Sequence, residues 1–99
     1  MENFSYYDSG AHAPLSEKTL AKFCQGWHPP TLQEITQFLV KLHLTSYEAG
    51  MLVGVSQDVF SDYLSGERQI AYAEWRLLLI YAGVVKPDLF RDRHFIESA

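Results

Sequence analysis

Thr31-Leu32-Gln33-Glu34 and Thr45-Ser46-Tyr47-Glu48 are two copies of one helix-start signal, separated by a single short helix's worth of chain. In each, the threonine hydroxyl accepts from the backbone N–H three residues on, and the glutamate carboxylate reaches back to the threonine N–H. Two of the amides that a helix start leaves without partners are satisfied together. Starts this close leave room only for short helices joined by tight turns. Leu32, Ile35, Phe38, Leu39 and Leu42 form one apolar stripe at helical spacing, with Gln33, Glu34, Gln37 and Lys41 off it. The spacing predicts an amphipathic helix ending near His43, a helix-end residue close to the last carbonyls. The second start predicts a helix from Thr45 to about Val53, stopped by Gly54, which has no side chain to clash in a left-handed turn. Ser56 caps again, and Gln57 to Ser65 carries Phe60, Tyr63 and Leu64 on one side and Gln57, Asp58, Ser61 and Asp62 on the other, with Gly66 as the stop.

Outside this centre, Ser16 followed by Glu17, Lys18, Leu20, Ala21, Phe23 and Cys24 predicts a short N-capped helix closed by Gly26, before Trp27, His28, Pro29 and Pro30 break the chain. Tyr72 to Ala82 predicts a last helix with Gly83 as its stop. Trp75, Leu78, Leu79 and Ala82 lie on one face, but Leu77, Ile80 and Tyr81 make it apolar nearly all round. Such a helix has to be covered by the N-terminal arm, the C-terminal tail or a second copy of the chain. Met1 to Pro14 shows neither helical nor strand periodicity and is expected as an irregular arm. Lys86 to Ala99 is a charged tail with Leu89, Phe90, Phe95 and Ile96 as anchors. The expected fold is therefore all-α, a compact bundle of about five helices around a central helix-turn-helix. Residues 1–30 form an arm and short helix packing on the core, 31–85 the helix-turn-helix domain and 86–99 the tail.

Several function classes drop out. One cysteine, Cys24, cannot form an internal disulfide and is expected as a small core residue; there is neither a signal-like start nor an unbroken apolar span, so a cytoplasmic protein without membrane contact is expected. His12, His28, His43 and His94 show no metal-ligand spacing, and no Gly-rich phosphate loop or catalytic carboxylate pair is present. No enzyme, metal or cofactor is expected. Trp75 and the tyrosines read as core, whereas Trp27 can cap the core or mark a partner surface.

The two short helices from Thr45 to Gly66, joined by a Gly-containing turn and with small Ala49 and Gly50 in the first, have the pattern of a helix-turn-helix. From Leu32 to Val84 the chain resembles the lambda-repressor-like family of helix-turn-helix regulators, the Cro/CI or XRE type. The resemblance rests on Leu52-Val53-Gly54-Val55-Ser56, on Val59-Phe60-Ser61-Asp62-Tyr63-Leu64-Ser65-Gly66-Glu67-Arg68, and on a following helix with Trp75-Arg76-Leu77-Leu78 that ends in Ala82-Gly83-Val84. It implies that the second motif helix lies in the major groove while the first crosses the phosphate backbone. Ser56, Gln57, Asp58, Val59 and Ser61 then face base edges, with Asp62 near the rim. Gln57 pairs with adenine, Asp58 accepts from cytosine and Val59 touches a thymine methyl. Ser46, Tyr47 and Arg68 are the expected phosphate contacts. The implied function is a homodimeric, sequence-specific transcriptional regulator of bacterial, phage or mobile-element type on double-stranded DNA, with repression the expected sign. The bland alternative for the same face is ordinary solvated helix surface.

Charge opposes this reading. The whole chain carries a net charge of −4, and between Thr31 and Val85 three cations (Lys41, Arg68, Arg76) stand against six anions (Glu34, Glu48, Asp58, Asp62, Glu67, Glu74). Phosphate affinity comes from Lys and Arg, so a DNA-binding form requires a dimer or cations from elsewhere, such as Lys86, Arg91 and Arg93. The alternative is an acidic helix-turn-helix module that binds a protein partner through Asp58, Asp62, Glu67 and exposed aromatics.

Overall fold

Five α-helices and one 3-10 turn make up residues 15–87, the part of the chain that the computed structural model describes, and no strand occurs among them. They are α1 (Glu17–Leu20), the 3-10 turn (Phe23–Gln25), α2 (Leu32–Leu42), α3 (Ser46–Val53), α4 (Gln57–Ser65) and α5 (Tyr72–Tyr81). The expected arm, and the anchors Leu89, Phe90, Phe95 and Ile96, lie outside the described residues.

Both Thr-x-x-Glu starts form complete capping boxes. Thr31 Oγ1 accepts from Glu34 N at 3.1 Å while Glu34 Oε1 accepts from Thr31 N at 2.8 Å. The Thr45 and Glu48 pair repeats this at 3.0 and 2.9 Å. Ser56 Oγ caps α4 by accepting from Val59 N at 3.1 Å. His43 closes α2 in the left-handed conformation (φ 59°), which lets Leu44 N donate to Leu39 O at 2.9 Å and turns the chain directly into α3.

The segment before α2 departs from expectation. Ser16 makes no side-chain cap, and α1 is a single turn that ends as Ala21 and Lys22 extend, before the 3-10 turn. The Ser16 N–H donates to Glu34 Oε2 at 3.1 Å instead, so the segment is held by α2 and not by its own cap. Cys24, expected in the core, is exposed, because the extended Ala21 and Lys22 carry the turn outward. Trp27 packs edge-on against Tyr72 at 5.2 Å between ring centroids, beside Phe23, and caps one flank of α5.

The core centres on Trp75, fully buried, whose ring lies 5.1 Å from that of Phe38. Its Nε1 donates to the Thr19 carbonyl at 3.0 Å, and Arg76 Nη1 donates to the Leu20 carbonyl at 2.7 Å. Leu15 and Thr19 are buried beside them, so residues 15–20 cover one side of the all-round apolar helix. Burying side chains of this size stabilises by roughly 1.5–3 kcal/mol each. Another side of α5 stays open: Tyr81 is 59% exposed and, with Leu42, Leu44, Leu52, Leu78 and Ala82, lines an apolar groove. Among the described residues no helix is long and apolar enough to cross a membrane.

Candidate functional site

The site begins with a close approach that only glycine permits. A Cβ on Gly50 would stand 2.6 Å from the Val55 carbonyl oxygen and 3.2 Å from that of Ser56, so α3 lies directly on the turn that follows it. The Gly50 carbonyl accepts from both Gly54 N (2.7 Å) and Val55 N (2.9 Å), and Gly54 reverses the chain at φ 85°. Three residues, Gly54 to Ser56, thus join α3 to α4 and fix how the two helices pack.

Phe60 and Tyr63 then orient α4. Both are buried, their rings 5.3 Å apart, and they anchor one side of the helix in the core. Helical geometry puts Gln57, Asp58 and Ser61 on the opposite side, and all three are exposed, as is Ser56. Ser61 Oγ lies 3.5 Å from Ser46 Oγ, which brings the start of α3 alongside the outer face of α4. Tyr47, 54% exposed, follows Ser46 there. Glu48 N is satisfied inside the Thr45 box, while the Ser46 and Tyr47 amides stand at the helix start, where no intrahelical carbonyl reaches them. The arrangement is one polar surface with hydroxyl, carboxamide and carboxylate groups on α4 and an amide-rich helix start beside it.

Two expected members sit differently. Val59 is half-buried and packs against the core, so its exposed surface is small. Asp62 does not stand alone at the rim: its Oδ2 accepts from Arg68 Nε at 3.0 Å, and its carbonyl accepts from Arg68 N at 3.2 Å. The sequence held a signal for this link, since Gly66 between opposite charges can fold the chain back. The Arg76 bond to the Leu20 carbonyl had no such signal, being a contact between distant segments.

Tyr63 also meets Glu74, whose Oε1 accepts from the phenol at 2.6 Å. Burial first, and then this bond and the carboxylate's charge, push the Tyr63 phenol up to about 12, with Arg68 acting in the opposite sense. The phenol is thus a neutral donor that fixes α4 to the start of α5. Among the described residues no group of three His, Cys, Asp or Glu side chains is placed to hold a metal ion. Compared with known protein families, characterised proteins and solved structures, the chain matches none.

Proposed function

We propose that the protein is a sequence-specific DNA-binding regulator of transcription, a repressor acting as a cytoplasmic homodimer and without catalysis. The observation that carries the reading is the single exposed face shared by Gln57, Asp58, Ser61 and the start of α3. A helix held by Phe60 and Tyr63 on one side can enter the major groove with the other, and α3 beside it then meets the backbone. Gln57 in the first turn of α4 pairs with adenine, Asp58 with the cytosine amino group, and the Ser46 and Tyr47 amides with a phosphate. Arg68 serves a second phosphate. Its pair with Asp62 is exposed, 58% at the arginine, and such pairs are worth about 0–1 kcal/mol, so a phosphate can compete for the guanidinium.

Few cations make two copies necessary. The groove at Leu42, Leu44, Leu52, Leu78, Tyr81 and Ala82 has no charged residue in its lining, which suits contact between two acidic chains. The acidic balance, with Arg68 and Arg76 already bonded within the chain, favours a second reading, in which the same face binds a basic surface of another protein.

The two readings separate in a DNA titration. Under the DNA reading, Gln57→Ala weakens cognate binding by about 1–3 kcal/mol, while Arg68→Ala removes a phosphate contact and lowers the cognate salt slope by about 1. If neither substitution changes binding to any duplex, the assignment of α4 to the groove is wrong.

A further inference from the structure

Of the two carboxylates on α4, Asp58 and Asp62, only Asp62 is bonded to a cation among the described residues. The chain turns back at Gly66 (φ 90°), and Arg68 is gripped twice by the same residue, through its backbone N–H and through Nε. Arg76 is bonded inward to the Leu20 carbonyl, whereas Arg68 is bonded to α4 itself and remains exposed. A phosphate that recruits Arg68 has to displace Asp62 or accept its negative charge close by.

We infer that Asp62 is a specificity-determining residue that acts through Arg68. The ion pair withholds Arg68 from loosely held, non-cognate phosphates and yields it when base contacts seat α4. This rests on the DNA reading above. An exposed pair shifts such a competition by no more than about fivefold. That is small enough for a well-aligned, charge-assisted phosphate contact to overcome and large enough to matter to a complex held by phosphates alone. Asp62 is then a brake on indiscriminate binding, and an acidic residue beside a DNA-facing helix ceases to be a contradiction.

The test is Asp62→Asn, titrated with a cognate and a scrambled duplex across a salt range, with Glu67→Gln, at an exposed carboxylate that the DNA reading gives no contact, as a control of equal charge change. The pairing predicts that Asp62→Asn tightens scrambled-duplex binding about two- to fivefold per subunit. It also steepens the scrambled-duplex slope by about 0.9 per subunit and leaves the cognate slope unchanged. Adding Arg68→Ala to Asp62→Asn abolishes the gain, whereas Glu67→Gln leaves the scrambled-duplex slope as in the parent. Equal effects from Asp62→Asn and Glu67→Gln, or none from Asp62→Asn, overturn the inference while the DNA reading stands. Failure of the parent and all variants to bind any duplex overturns both.

Discussion

At Thr31 and at Thr45 the chain solves one problem in one way, with a threonine hydroxyl and a glutamate carboxylate exchanging hydrogen bonds across a first helical turn. Beyond the box the two starts diverge. Glu34 uses its second oxygen to accept from Ser16 N, so the start of α2 is tied into the fold and carries the N-terminal segment with it. Beside the Thr45 box, Ser46 meets Ser61 at the surface and Tyr47 is exposed. Identical local chemistry therefore serves cohesion at one start and presents an open polar surface at the other. What decides between them is the neighbour that the tertiary fold supplies.

The most damaging way to disturb this contrast is to push α3 off its turn. In Gly50→Ala the new methyl meets the Val55 carbonyl, a backbone atom that cannot swing aside, so the chain has to shift. We expect a loss of about 1–3 kcal/mol in urea denaturation, with weakened DNA binding because Ser46 and Ser61 move apart. A variant as stable as the parent would mean that the close approach is not tight.

Removing the carboxylates one at a time sharpens the comparison. Glu34→Ala should cost about 1–2 kcal/mol and speed hydrogen exchange at the Thr19 and His28 amides, which bond to the Ser16 and Lys18 carbonyls. Glu48→Ala loses the box alone, about 0.5–1 kcal/mol, and should leave those amides as protected as in the parent. Equal exchange in the two variants would show that the Ser16 bond holds nothing in place.

How much of this could be read in advance follows from the range of each interaction. The boxes at Thr31 and Thr45, the Ser56 cap and the stops at Gly54 and Gly66 are satisfied within a few residues, and all form as expected. Ser16 has the same local credentials and does not cap, because its backbone finds Glu34 across the fold. Cys24 follows from that miss: without a continuous helix its apolar spacing carries no information about burial. On α4 the exposed face of Gln57, Asp58 and Ser61 was legible from Phe60 and Tyr63 opposite it. The contact of that face with Ser46 was not, since it depends on how closely Gly50 lets α3 lie on the turn.

The smallest effect shows itself as a pH dependence that begins well above neutral pH. Because the folded Tyr63 phenol is raised from 10 to about 12, the unfolded chain releases this proton first as pH rises. The stabilisation is fully present below pH 10 and is lost as pH climbs towards 12. Thermal melts of the parent and Tyr63→Phe should therefore converge over that window. Parallel curves would place no stabilising role on the bond to Glu74.

The use of the α4 face on DNA is tested most directly by selecting binding sites from a pool of random duplexes. Two copies presenting the same helix predict a palindromic consensus with half-site centres about 10 base pairs apart. An adenine in each half-site should lose its preference in Gln57→Ala. A selected pool no different from the starting one, at low salt and with folded protein, would contradict the DNA-binding function.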